Sequence, residues 1–385
     1  LKQYDYIITG AGCAGLSLLL RLLDKGALAG KQVLLLDKEP KRHNDRTWCF
    51  WEKETGFFEP LVHCKWDYLQ FYSNNFSRTL TIEPYRYKMI RGIDFYSYCF
   101  SRLEQHPNIT IAYGMVETME SVEGGAVVRW NGQSARASYV FNSILPAEMM
   151  TAKKKHYLLQ HFKGWVIDTA SPAFDSNQAT LMDFRVGQEA GASFVYIMPF
   201  SASRALIEYT LFSQTLLKQD AYDKALGGYI GRFLPAVDYT VVEEETGSIP
   251  MTSHRFPPYN GNIVHIGTAG GQTRASSGYT FQFIQKRTEA ITNALLLTGR
   301  PFTNRGLPSK KSRFYDSVLL HILSKGKPGG DRIFSQLFRK NKAQAVFRFL
   351  DDESPLSNDL TIIGSLPTLP FLRAAVKEFF PLFFP

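Results

Sequence analysis

The chain reads as an α/β protein: a doubly wound, Rossmann-like domain, a β-rich second domain and a helical C-terminal region. Three observations predict this. A strand-like run, Tyr6-Ile7-Ile8, breaks into Gly10, Gly12 and Gly15 and passes at once into a leucine-rich helix over 16–23. Two-residue alternation then recurs between residues 68 and 212. Beyond Pro301 the apolar residues fall at helical spacing.

The opening unit has the parts of a dinucleotide site. Gly10 permits the tight turn, Gly12 lets backbone approach a pyrophosphate, and Gly15 lets the helix pack close to the strand. The helix start at Cys13 and Ala14 offers unpaired N–H groups and partial positive charge to phosphate. A second strand over 33–36 ends in Asp37, 22 residues after Gly15, where a carboxylate can accept both ribose hydroxyls. Lys38 beside it is counted with the cofactor contacts. A glycine-rich turn alone is a weak signal, but here strand, helix and acid all stand in the required order. The unit's place at the start of the chain favours FAD over NAD, by analogy with FAD enzymes.

The polar stretch after Asp37 closes on Trp48, Phe50 and Trp51. Residues 68–73 and 79–87 alternate as strands, and 93–106 is helical. Three short strands follow, at 109–113, 126–130 and 139–141, with Gly124-Gly125 and Asn131-Gly132 as hairpin turns. Strands at 164–168, 180–186, 194–200 and 204–212 make the second region, and 214–234 is helical. The run at 262–266 breaks into GTAGGQTRASSGYTF, residues 267–281, before another helix. This second strand–glycine–helix passage would bring Gly267, Ala269, Gly270, Gly271, Ser277, Gly278 and Tyr279 to the cofactor. Residues 1–60, 93–150 and 245–300 are thus read as a discontinuous nucleotide domain, 61–92 and 151–244 as a β-rich substrate domain, and 301–385 as the helical region. No second GxGxxG is present, so NADPH, if it serves as reductant, visits the flavin transiently.

Composition narrows the classes. The 385 residues carry a net charge of +9, yet no basic run interleaved with aromatics marks a nucleic-acid groove. Lys153-Lys154-Lys155 reads as a solvated loop. The four cysteines form no CxxC and the eight histidines no ligand spacing, so neither a disulfide framework nor a metal site is expected. No signal peptide and no spanning helix are read, which suggests a reduced, cytoplasmic setting. The basic balance would suit an anionic membrane face.

Several segments, taken in order, resemble bacterial lycopene β-cyclases over essentially the whole length: the opening YDYIITGAGCAGLSLLLRL, NDRTWCFW at 44–51, MDFRV at 182–186, YIMPFSASRALIEYTLF at 196–212, TGSIPM at 246–251 and IGTAGGQTRASSGYTF at 266–281. The resemblance implies a flavoprotein fold related to aromatic hydroxylases. It also implies reduced FAD used without net redox change, and closure of β-ionone rings on lycopene and related linear carotenoids, giving γ-carotene and β-carotene. It makes Glu208 the catalytic acid.

The chemistry sets its own demands. A proton adds to a terminal C=C bond, the next double bond attacks the tertiary cation, and loss of an allylic proton ends the reaction. The site therefore needs a protonated acid, a dry apolar tunnel and electron density beside the cation. Glu208 lies in an apolar strand on the face of Leu206, Thr210 and Phe212, where burial would raise its pKa. Tyr209, bulkier than the small or acidic residue usual there, should point the other way. Asp183 could neighbour Glu208, or simply pair with Arg185. Trp48, Phe50, Trp51, Asp183, Tyr196 and Phe212 are candidate substrate contacts, the aromatic rings as cation–π partners. Arg46, Thr47 and Arg91 are candidates for the cofactor. A flavin monooxygenase, an isoprenoid reductase and a non-catalytic carotenoid- or lipid-binding flavoprotein stay open as rivals. The tail over 371–385, with five Phe and two basic residues, suits peripheral contact with the cytoplasmic membrane.

Overall fold

The computed structural model describes residues 1–145, 156–235 and 237–383. The lysine run at 153–155, the domain joint at 150–151 and the last two residues of the tail lie outside them. Among the described residues three sheets and nine α-helices form the molecule.

The first sheet grows from β1 (Lys2–Thr9). It pairs in parallel with β2 (Val33–Asp37) on one side and β11 (Gln133–Asn142) on the other. β8 (Ile109–Tyr113) adds in parallel to β2, and β18 (Ile263–His265) to β11. The expected hairpins are a meander of β9 (Val116–Val122), β10 (Gly125–Trp130) and β11, of which β9 was not expected. Its exposed, polar face hides the alternation. β1 and β2 are nearly continuous apolar runs because both faces are covered: Ile8 and Leu35 pack among the helices, Ile7 and Leu34 against Ala126 and Val128 of the meander. Helix α1 (Cys13–Asp24) crosses from β1 to β2 and packs against α4 (Phe281–Thr298). Helix α2 (Gly92–Leu103) completes that layer.

The second sheet runs β16-β12-β15-β14-β13-β5-β6. Next to its edge lies β12 (Tyr157–Thr169), antiparallel to β15 (Arg204–Ser213) and to the edge strand β16 (Tyr239–Thr252). β14 (Ala192–Pro199) pairs with β15, then come β13 (Gln178–Asp183), β5 (Tyr68–Ser73) and β6 (Phe76–Thr81). One face carries α3 (Gln219–Phe233), packed on Ile207, Tyr209 and Leu211. The other face carries Leu206 and Phe212 and meets the C-terminal helices. These are α5 (Lys310–Lys325), α6 (Gly330–Lys340), α7 (Ala343–Leu350), α8 (Leu356–Ser365) and α9 (Thr368–Phe383). The third sheet, β3-β7-β4, uses β3 (Thr47–Glu52), β7 (Arg86–Arg91) and β4 (Cys64–Trp66).

Three sequence expectations change. The strand read over 79–87 is two strands parted by a turn, in which the Tyr85 N–H donates to the Ile82 carbonyl at 2.8 Å. Pro84 lies in that turn and has no N–H for a ladder. The loop expected after Asp37 holds only to residue 46; Trp48, Phe50 and Trp51 lie in β3. The nucleotide domain does not resume at 245, because β16 keeps 239–252 in the second sheet.

Candidate functional site: a glycine-lined cleft meets an apolar cavity at a pair of glutamates

The N-terminal turn is built as its spacing requires. Gly10 has φ +98°, and a Cβ there would lie 2.1 Å from Ser143 Oγ. A Cβ on Gly15 would lie 2.1 Å from the Gly10 carbonyl oxygen, so helix and turn touch backbone to backbone. Gly12 differs: among the described residues, a Cβ there would meet no atom within 4 Å beyond its own turn. It faces a cleft of about 390 Å³ together with Cys13, Ala14, Gly267, Ser277, Gly278 and Tyr279. Helix α1 starts at this cleft with no side-chain cap on its free N–H groups. Burial pushes the Cys13 thiol up to about 12, so it is a neutral wall and not a nucleophile.

Other expected cofactor contacts are sorted by the geometry. Arg46 and Thr47 line the cleft, and so does Trp48, which was expected as a substrate contact. Asp37 is buried at the end of β2; its Oδ2 accepts from the Ala11 N–H at 2.6 Å and its Oδ1 pairs with Lys41 at 3.2 Å. Lys38 does not contribute. It is exposed and pairs with Glu39, while Lys41, one turn on, enters the cleft instead. Arg91 turns away to hold Asp94 at 2.7 Å beside a different hollow. Gly267 lies against Ala14, but Ala269, Gly270 and Gly271 sit behind the lining, in and just after a 3-10 turn over Gly267–Gly270. The second passage therefore meets the cleft through Gly267, Thr268 and the 277–281 segment. Helix α4 begins only at Phe281, after it.

A second cavity, about 260 Å³, lies between the second sheet and α5–α9. Its walls include Trp51, Phe212, Phe334, Leu337 and Phe347. Trp51 stacks on Phe347 with ring centroids 4.4 Å apart and donates to Asp351 at 2.7 Å. Arg274 and Asp316, both buried, pair at 2.8 Å in the same wall. Tyr196, Ser277 and Tyr279 line both cavities and so form the partition between them. The Tyr279 hydroxyl is hydrogen-bonded to those of Tyr87 and Tyr196. Phe50 reaches neither cavity; it stacks on Phe281 in the core, with centroids 4.4 Å apart.

Glu208 stands at this partition, 7% exposed, opposite Tyr196 in the ladder. The sequence did not single out its partner. Gly164 on β12 pairs with Glu208 on one side and Glu245 on the other. With no side chain between them, the two carboxyl groups meet and share a hydrogen bond. Even a Cβ on Gly164 would lie 3.1 Å from Glu245 Cγ and 2.8 Å from Leu206 Cδ1. Burial raises the Glu208 pKa well above the usual carboxylate range. The charge on Glu245 adds to that, and the Thr210 hydroxyl, donating to Oε1 at 2.6 Å, opposes it. Glu245 is also raised by burial, but Thr47 donating at 2.7 Å and the Glu208 hydrogen bond both favour its anion. The shared proton thus rests on Glu208, and Glu245 accepts it as a hydrogen bond. Both carboxyls line the cleft, next to Tyr196 of the partition; a buried acid held neutral there can protonate an apolar substrate whose end reaches past that partition.

Asp183 is not part of this pair. It is fully buried two strands away, held by Arg185 and by the Tyr229 hydroxyl at 2.6 Å on the α3 side of the sheet. Tyr209 also faces α3, as its parity implies. The structure brings together one set of metal-ligand types that the sequence spacing hides. His156 Nε2 and His321 Nδ1 each lie 2.9 Å from Glu378 Oε1, and the three ligand atoms are within 4.8 Å of one another.

A glycine-built nucleotide cleft abutting a β-sheet domain, with an apolar cavity beyond, defines a protein of the two-domain flavoprotein fold. Residues 5–376 match the family described as lycopene cyclase protein, and the chain belongs to that family. It is 26% identical over 394 residues to a lycopene beta-cyclase of Pantoea ananas, covering 97% of each chain. Its fold is that of a flavoprotein/dehydrogenase from Cytophaga hutchinsonii, with a TM-score of 0.61 at 11% identity, covering 99% of this chain and 100% of that one. It is also similar to the flavin-dependent monooxygenase PieE, solved with FAD and substrate, with a TM-score of 0.59 at 12% identity, covering 99% of this chain and 72% of that one.

Proposed function

We propose that the protein is an FAD-dependent lycopene cyclase that closes β-ionone rings by acid–base isomerisation, giving γ-carotene and then β-carotene. The observation that carries this reading is the Glu208–Glu245 pair, seated where the nucleotide cleft meets the apolar cavity. The cleft's own residues fit FAD. Gly12 leaves room for a pyrophosphate at an uncapped helix start, and the buried Gln160 Oε1 and Ser277 Oγ lack protein partners in the cleft wall. Bound in reduced form, with NADPH as a reductant, FAD would supply negative charge beside a carbocation.

The remaining steps belong to the chain's own residues. The apolar cavity receives one end of the linear carotenoid and keeps water from it. Glu208 gives its proton to the terminal double bond, leaving a tertiary cation. The next double bond attacks that cation, and the new C–C bond closes the ring. Glu208, now a carboxylate beside Glu245, takes up the allylic proton, so no atom is gained or lost. Tyr196 and Tyr279 present ring faces and hydroxyl groups at the partition, where they bound the cation's space. The protein works from the cytoplasmic face of the membrane in which its substrate dissolves. Glu208→Gln tests the reading. Turnover should fall by about 10²- to 10⁴-fold, with bound flavin and carotenoid unchanged. Ring formation at the wild-type rate would remove Glu208 from the chemistry.

A further inference from the structure

We propose that the apolar cavity opens between α8 and α9, and that this mouth docks on an anionic phospholipid bilayer from which the carotenoid enters end-first. The proposal rests on the cyclase reading for its substrate. Its evidence is separate: three cavity-lining residues at the α8–α9 junction, Gly364, Thr368 and Leu372, are exposed. The cavity therefore reaches the surface there, while its inner end is the tyrosine partition beside Glu208.

The surface around the mouth is not one suited to water. Leu360 and Leu356 on α8 are 62% and 60% exposed, and Leu369 and Val376 on α9 are each 57% exposed. The inner faces of the same helices are already apolar and buried, through Ile362, Phe371 and Ala374. Helices apolar on both faces at a protein surface call for a second apolar phase. No helix among the described residues is long and apolar enough to cross a membrane, so this face would lie on a bilayer rather than span it.

Charge identifies the lipid. Residues 355–379 contain two acids, and both are buried. Asp359 is paired with Lys311 at 2.9 Å, and Glu378 is held by His156 and His321. The two bases, Arg373 and Lys377, are exposed. Within 355–379 the outward surface is thus apolar and cationic with no exposed carboxylate, and the exposed Glu353 just before α8 is paired with Lys286; this complements anionic headgroups over an acyl layer. The His156–Glu378–His321 contacts also fasten α9 to α5 and to the residue that precedes β12, which fixes one side of the mouth.

The test uses the full-length holoenzyme, phosphatidylglycerol/phosphatidylcholine vesicles and two variants. Leu360→Glu/Leu369→Glu alters the surface without touching the cavity lining. Its flotation with vesicles and its turnover of vesicle-embedded lycopene should fall at least about tenfold. Its turnover of detergent-dispersed lycopene should stay within about twofold of wild type, which also shows that it folds. Gly364→Trp, at a position where a Cβ meets no protein atom within 4 Å, should float normally and lose turnover in both media. A double variant that floats and consumes embedded substrate like wild type overturns the docking face. Normal turnover by Gly364→Trp overturns the mouth. A wild-type protein that floats but cyclises nothing in either medium refutes the cyclase reading and leaves the docking face standing.

Discussion

Replacing Glu245 by Gln keeps the side chain's length and removes one charge and one acceptor. The Glu245 carboxylate takes a hydrogen bond from Thr47 at 2.7 Å and another from the Glu208 carboxyl. A carboxamide offers one oxygen and one NH₂ group, so one of those two hydroxyl donors loses its acceptor whichever way the amide turns. An unpaired buried donor costs about 1–3 kcal/mol. If the transition state bears that cost, the rate falls roughly 5- to 150-fold. The charge has a second effect. Burial and the Glu245 anion both keep Glu208 protonated, so losing the anion lowers the Glu208 pKa. The reaction needs the protonated acid, and activity is lost as pH rises through its pKa. The variant should therefore lose activity at a lower pH than wild type. Initial rates of ring formation, read by product chromatography across a pH series, measure both effects. A rate within about twofold of wild type, with an unmoved alkaline limb, would show that the two carboxyls do not act as a unit.

The same pair makes the fold pH-sensitive. Both native pKa values lie above those of the unfolded chain, so stability is greatest below the unfolded carboxylate range and falls as pH rises through the folded values. Glu208→Gln should accordingly raise the melting temperature at neutral pH and change it little in acid; an equal shift at both would contradict the linkage. Gly12 and Gly10 should separate cofactor from fold. Gly12→Val should leave the melting profile nearly intact and cut retained flavin, read by visible absorbance, at least about tenfold, because its side chain would enter only the cleft. Gly10→Ala should destabilise the chain itself by about 1–3 kcal/mol, because its Cβ meets Ser143 at positive φ.

What was legible in the sequence was what depends on neighbours along the chain. The turn at Gly10, Gly12 and Gly15 announces itself because strand, turn and helix are consecutive. The side to which Glu208 points follows from parity within one strand. Its partner follows from neither. Glu245 comes 37 positions later, on a strand whose exposed residues conceal its alternation, and reaches Glu208 only across the gap left by Gly164. A glycine inside a long apolar strand was the available signal. Asp183 takes the second of its two expected places: it pairs with Arg185 and accepts from Tyr229 on the α3 side of the sheet, where a register shift in β13 interrupts the regular ladder. Lys38 and Arg91 do not line the cleft; each pairs with an acid within three positions, Glu39 and Asp94. The apolar cavity was hidden altogether, since it exists only where five helices from the end of the chain fold back over the second sheet.

The central claim is that a proton held by Glu208 starts a reaction with no net redox change. Anaerobic conversion of lycopene by an excess of enzyme pre-equilibrated in D₂O, so that each ring closure starts from a deuterated Glu208, followed by mass spectrometry of the carotenoid, tests it most directly. The account requires a cyclic product carrying a single solvent deuterium for each ring formed, otherwise isomeric with substrate, and no such label from Glu208→Gln. A product enriched by oxygen or by two hydrogens, or rings formed without any deuterium, would contradict it.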